Sequence, residues 1–167
     1  MSERLNWKAA IWAGFVAGIV FLALEMALVS TIGGMSPWAP PRMMAAIAMG
    51  EGVLPPPATF DAVVVMVAMA IHFMLSIILG MILGWAISRW RMGLMAALLV
   101  GTIFGLTVYF VDFYIFTAFF PWFAMARNAI SIIAHAVFGF VLGGVYRTVA
   151  RRGDGLGDSA EYGSGTV

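Results

Sequence analysis

The sequence contains no cysteine, which excludes disulfide bonds, thiolate metal sites and covalent haem attachment. Charged residues are also scarce, at 10% of the chain, whereas a soluble domain carries about 25%. A surface that faces water on all sides cannot be built from this composition. No phosphate-binding loop, dinucleotide fingerprint, serine-hydrolase motif or HExxH motif is present, so we do not expect a stand-alone enzyme. The net charge of +1 gives no indication of nucleic-acid binding.

Long apolar segments replace the missing charges, since 63% of the residues are hydrophobic and the mean hydropathy is +1.00. Four nearly uncharged stretches reach the length of a membrane span, at residues 9–32, 62–87, 93–119 and 128–149. The first is too long for the core of a signal peptide and lacks a cleavage site, so it counts as a span. The sequence predicts an all-α membrane protein whose single domain, residues 1–150, is a four-transmembrane-helix bundle. The Gly-rich polar tail, residues 151–167, is predicted to be disordered.

The basic residues indicate the orientation of these spans. Seven of the nine lie at one end of the predicted helices, and only Arg42 and Arg127 lie at the other. This asymmetry is typical of the positive-inside rule and predicts a multi-pass protein with both termini in the cytoplasm. Within the long first outer loop, the segment "PPRMMAAIAMG" predicts a short helix at the membrane interface, with proline at its start and glycine at its end.

An internal repeat relates the first and third spans. In each of these spans, two glycines four residues apart are followed by an acid seven residues after the second glycine. These residues are Gly14, Gly18 and Glu25 in the first span, and Gly101, Gly105 and Asp112 in the third. These acids are the only carboxylates deep inside the apolar spans. Glycines at this spacing mark faces where membrane helices approach closely.

The second and fourth spans correspond in the same way. Each contains one of the two histidines, with small residues four and eight positions later: His72, Ser76 and Gly80, and His135, Gly139 and Gly143. A Pro-Trp pair and an arginine follow each acidic span, contributing Trp38 with Arg42 and Trp122 with Arg127. We interpret the chain as two tandem parallel helix pairs, residues 9–87 and 93–149, related by an axis along the membrane normal.

The repeat predicts a polar site in the periplasmic half of the bundle. Offsets of seven and eleven residues return to within about 20° of the same helix direction, so each acid lies on the glycine face of its helix. The cost of exposing a carboxylate to lipid also favours an inward orientation. Helix lengths place the four ionisable side chains at similar depths, so Glu25, His72, Asp112 and His135 are expected to form one cluster around the axis.

Several roles for this cluster remain open. It could lock the helices together as a purely structural element, or act as a proton relay or ion-responsive site in an accessory or transport-related protein. Arg42 and Arg127, at the outer rim, could steer an anionic solute. A cofactor is the further alternative: haem b between His72 and His135, or a divalent metal bound by all four residues. Because four spans are few for a transporter, a homodimer or a larger membrane complex is expected, embedded in the lipid bilayer.

Short motifs suggest a family. The sequence "APPR" after the acid-bearing first span, "HFMLS" in the second and "AHAVFG" in the last resemble the YagU-like four-span inner-membrane proteins. This resemblance implies a small polytopic protein of the bacterial inner membrane, and it transfers no catalytic residues.

Overall fold

The computed structural model describes residues 5–56 and 58–163, with side chains as far as Arg151. It is 83% helical, and the described residues contain no β-strand. Five α-helices lie within these described ranges: α1 (Trp7–Thr31), α2 (Ala39–Met49), α3 (Ala62–Arg89), α4 (Leu94–Phe110) and α5 (Ala129–Gly163). Short 3-10 turns cover Glu51–Val53, Phe116–Ala118 and Pro121–Ala126, and a π-helical turn covers Val111–Ile115.

Four segments are long and apolar enough to cross a membrane: Trp7–Thr31, Ala62–Arg89, Leu94–Ala118 and Ala129–Arg151. Their mean hydropathies lie between 1.9 and 2.7. The predictions of an all-helical chain and of four candidate spans are confirmed. We call the end of the helices near α2 the α2 end, and the end that carries Trp7, Arg89 and Arg151 the terminal end.

Side-chain caps and prolines explain where several helices begin. The Asn6 side chain accepts a hydrogen bond from the backbone of Ala9 at the start of α1, and Asp61 accepts two at the start of α3. Proline occupies the first turn of α2, where its missing N–H leaves no hydrogen bond unmade. Helix α2 occupies the segment for which the sequence predicts a short helix; its position at a membrane interface stays a prediction.

Packing among the four long helices is unequal. Helix α1 packs against both α3 and α5, and α5 packs most extensively against α4, whereas α3 and α4 hardly touch. The helices therefore follow the order α3, α1, α5, α4. The predicted two-fold arrangement would make the α3–α4 contact equivalent to the α1–α5 contact, and the observed packing differs from this prediction.

The predicted packing glycines lie at two helix crossings. At the α1–α3 crossing, a Cβ atom added to Gly14 would lie 2.5 Å from the carbonyl oxygen of Ser76. At the α4–α5 crossing, a Cβ atom at Gly101 would overlap the carbonyl oxygen of Gly139.

The remaining small residues pair in the same way. A Cβ atom at Gly80 would lie 2.6 Å from the Ala10 oxygen, and one at Gly143 would overlap the Ala97 oxygen. Corresponding positions therefore meet in both helix pairs, while their origin as copies of one unit stays a hypothesis.

Two segments differ in detail from the sequence prediction. The third span was predicted as one regular helix over residues 93–119, but α4 changes to a π-helical turn after Phe110. The backbone of α5 is helical as far as Gly163, which is past position 151, where the predicted disordered tail begins. Residues 164–167 lie outside the described residues, and for them the disordered tail stays a prediction.

Candidate functional site

Glu25 is a buried carboxylate between α1 and α5. Only 6% of the residue is exposed, and its Oε1 accepts a hydrogen bond of 2.9 Å from the hydroxyl of Ser131 on α5. Its Oε2 is enclosed and has no hydrogen-bond partner. A buried carboxylate oxygen without a partner is unfavourable, because the group has lost water without gaining a replacement donor. Protonation of the carboxyl group would lower this cost, because it removes the buried negative charge.

His135 lies between Ser131, which bonds Glu25, and a second carboxylate, Asp112. Its Nδ1 lies 2.7 Å from the carbonyl oxygen of Ser131, one turn earlier in α5. A carbonyl oxygen can only accept, so Nδ1 carries the hydrogen in this contact. The opposite nitrogen, Nε2, lies 3.5 Å from Oδ2 of Asp112. A bare Nε2 and an ionised carboxylate are both acceptors, so favourable pairing requires a proton shared between them.

Asp112 differs in burial from the other members of the site. Its side chain is 44% exposed, whereas the sequence predicts that both acids point into the bundle. The prediction assumed a regular helix, but Asp112 belongs to the π-helical turn after α4, where the regular spacing ends. Asp112 therefore reaches His135 from the surface of the protein.

His72 does not contact Glu25. Its Nε2 donates a hydrogen bond of 2.9 Å to the carbonyl oxygen of Gly18 on α1. Gly18 permits this approach, because a Cβ atom there would lie only 3.3 Å from that nitrogen and 2.9 Å from the hydroxyl of Ser76. Of the four residues predicted to form one cluster, His135 and Asp112 are in contact, whereas His72 bonds the backbone of α1 instead.

Phe21 connects the two histidines. Its ring stacks on His72 at a centroid distance of 5.6 Å and meets His135 edge-on at 4.8 Å. Sequence reasoning missed both Phe21 and Ser131, because neither stands out in an apolar segment. A hydroxyl one helical turn before a histidine was the only signal that could have drawn attention to Ser131. We call Glu25, Ser131, His135 and Asp112 the Glu25 cluster, with Phe21 linking it to His72.

The two cofactors that the sequence left open as alternatives do not fit this arrangement. Within the part of the chain that the structure describes, no three His, Cys, Asp or Glu residues are placed to hold a metal ion, so the proposed ligand set is not assembled. Haem between the histidines would need both Nε2 atoms directed at an iron. They point instead to Gly18 and Asp112, and Phe21 packs against both rings.

The predicted rim residues stabilise the loops at the α2 end. Arg127 donates to the carbonyl oxygen of Phe113 at 2.6 Å and packs against the ring of Tyr114. Since the π-helical turn disturbs the regular hydrogen-bond ladder, this arginine supplies a donor to the segment that carries Asp112.

The other rim residues act across the first loop. Arg42 donates to the Thr59 oxygen at 2.9 Å, and Trp38 packs edge-on against Phe60. The indole of Trp122 donates to the Met43 oxygen at 3.0 Å, joining the second loop to α2. These contacts explain the positions of both arginines without an anionic solute.

Together these features define a small helical protein with four candidate membrane spans and a polar cluster between its first and last spans. No family model, no curated protein and no solved structure matches the chain. The resemblance to YagU-like proteins therefore stays a hypothesis, and the function must be inferred from the site itself.

Proposed function

We propose that this chain is an accessory or transport-related membrane protein that responds to protons through the Glu25 cluster. The observation that carries the proposal is the contact of His135 with Asp112. The imidazole already donates through Nδ1, so its contact with the carboxylate is favourable only when a proton lies between them. Histidine is also the side chain whose charge changes most readily near neutral pH.

The surroundings of this pair suggest a path for the response. In this proposal the partly exposed Asp112 exchanges a proton with the outside, whereas Glu25 is enclosed and has an unpartnered oxygen. Ser131 and His135 together connect these two carboxylates. The Ser131 hydroxyl donates to Glu25, its carbonyl oxygen accepts from His135, and His135 contacts Asp112. A change of charge at His135 therefore acts directly on the residue that connects α5 to α1.

The proposed setting follows from the sequence. Basic residues at the terminal end favour a bacterial inner membrane with both termini in the cytoplasm and Asp112 on the periplasmic side. Because four spans are few for alternating access, we infer that the chain works as a homodimer or within a larger membrane complex.

Infrared difference spectroscopy of the reconstituted protein tests the proposal. Changing the pH between about 5 and 8, the range where histidine titrates, should produce carboxyl signals that disappear in Asp112→Asn and Glu25→Gln. The matched control is Asp61→Asn, since asparagine replaces aspartate as a helix cap at little cost. If neither variant differs from this control, the cluster is purely structural and the proposal is wrong.

Proton flux into liposomes then separates transport from sensing. A flux above that of protein-free vesicles, lost in Glu25→Gln but kept in Asp61→Asn, supports a transport role. Carboxyl signals without any flux support an accessory protein that responds to pH.

A further inference from the structure

The weak contact between α3 and α4 leaves an apolar cleft on the side of the molecule. The cleft encloses about 280 Å³, close to the lower limit of about 300 Å³ for ligand pockets. It runs along the half of α3 near the terminal end and the middle of α4. Six of the residues that line it are Ile82, Trp85 and Ala86 of α3 and Val100, Ile103 and Phe104 of α4.

Apart from the indole N–H groups of Trp85 and Trp90, the lining offers almost no polar side chain to a ligand. Its one hydroxyl, that of Thr107, already donates to the carbonyl oxygen of Ile103 at 2.9 Å within α4. The backbone groups of both walls are bonded within their helices. The cleft therefore suits an apolar chain, and hydrocarbon is the apolar material that surrounds a membrane span.

Charge at the mouth of the cleft indicates a particular kind of lipid. Arg89 lies in the last turn of α3, between Ala86 and Trp90, which both line the cleft, and Arg91 follows directly. Both arginines are exposed at the terminal end. The rings of Trp85 and Trp90 meet edge-on at 6.2 Å beside them. Indoles of this kind are typical of the level of lipid headgroups.

Guanidinium groups recognise phosphate by charge and by paired hydrogen bonds. We propose that the α3–α4 cleft binds one acyl chain of an anionic phospholipid whose phosphate is held by Arg89 and Arg91. This site lies on the opposite pair of helices from the α1–α5 interface that contains Glu25, so it is independent of the proton response proposed above.

Native mass spectrometry of the full chain in neutral detergent tests this site. The probes are phosphatidylglycerol and phosphatidylcholine with identical acyl chains. The wild-type protein should retain phosphatidylglycerol preferentially, and Arg89→Gln with Arg91→Gln should lower its affinity about 30-fold, since basic groups near a lipid surface act additively. Lys8→Gln with Arg151→Gln is the matched control, because it removes two exposed charges from the same end outside the cleft.

A second variant tests the acyl-chain half of the site. Ala86→Phe fills the cleft and should reduce the binding of both lipids, whereas Ala70→Phe, on an exposed part of α3 outside the cleft, should not. Equal retention of the two lipids by the wild type would overturn the proposal. So would equal losses from the two charge variants, or binding that Ala86→Phe leaves unchanged.

Discussion

Replacing Gly139 with alanine should loosen the tightest helix crossing in the protein. Gly139 lies where α5 packs on α4, the most extensive interface of the fold. A Cβ atom there would overlap the carbonyl oxygen of Gly101 and would lie 2.8 Å from both the carbonyl carbon of Gly101 and the nitrogen of Gly105. These are backbone atoms, which cannot turn aside as a flexible side chain can.

The distance by which α4 and α5 must separate determines how much stability is lost. Ordinary contact begins at 3.4 Å, so the two contacts of 2.8 Å must each lengthen by at least 0.6 Å (3.4 − 2.8). A gap of about 0.5–1 Å removes a quarter to a half of the dispersion attraction between packed atoms. Inserting a methyl group into a well-packed interface costs about 1–3 kcal/mol, and the helix propensity of alanine offsets up to about 1 kcal/mol. Because the added methyl group overlaps backbone atoms, the cost lies at the upper end of this range, and we expect a net loss of about 2 kcal/mol (3 − 1).

Unfolding in mixed micelles, followed by circular dichroism, measures this loss. Gly144→Ala is the matched control in the same helix, because the nearest atom to its added Cβ would be the flexible Cδ2 of Leu98 at 3.0 Å. Because the same helix-propensity gain of up to about 1 kcal/mol applies to the control, we expect Gly144→Ala to leave the free energy of unfolding unchanged or raise it slightly. If both variants lose the same stability, close backbone approach is not what holds α4 against α5.

Two further predictions concern buried hydroxyl groups. Ser131→Ala removes the one hydrogen-bond donor to Glu25 found in the described part of the chain, and it should lower the free energy of unfolding by about 1–3 kcal/mol, measured by the same micelle assay. Tyr146→Phe removes a hydroxyl that is bonded to Ser88 at 2.5 Å in the interior at the terminal end. That variant should lose about 1–2 kcal/mol in thermal unfolding.

Exposed residues provide the controls for both. The hydroxyl of Ser30 is exposed and bonds only its own helix, so Ser30→Ala should be nearly neutral. Tyr114 is 54% exposed, so its phenylalanine variant should lose less stability than Tyr146→Phe. A loss as large in the controls as in the buried variants would show that burial of the hydroxyl groups is not the cause.

The four spans could be predicted from the sequence because lipid imposes a simple requirement. A helix must be long and apolar to satisfy its backbone in hydrocarbon, and the boundaries differ from the prediction by only a few residues. The packing glycines were predictable for a related reason, since close approach of backbones needs small residues at regular spacing. Which side chains contact each other across two helices depends on how each helix is rotated about its axis and how deep it lies, and residue spacing alone does not determine either.

The interruption of α4 illustrates this limit. The prediction placed Asp112 by extending a regular helix from Gly101, and nothing in "VDFYI" shows that a π-helical turn begins there. The turn changes the exposure of the carboxylate, although Asp112 still contacts His135, another member of the predicted cluster. A local departure from regular geometry therefore altered the burial of the site and left one of its pairings intact.

The two histidines show why similar positions acquire different partners. Residue 131, four positions before His135, is serine, and its counterpart before His72 is Ala68. Ala68 is fully buried in a small core with Ala45 of α2, so the first loop, which contains α2, covers this face of the first helix pair. Ser131 instead faces α1 and bonds Glu25. Glu25, the acid of the first helix pair, is therefore hydrogen-bonded to Ser131 of the second pair. This polar contact lies in the closely packed α1–α5 interface, and α3 and α4, whose described residues make no such contact with each other, stay apart.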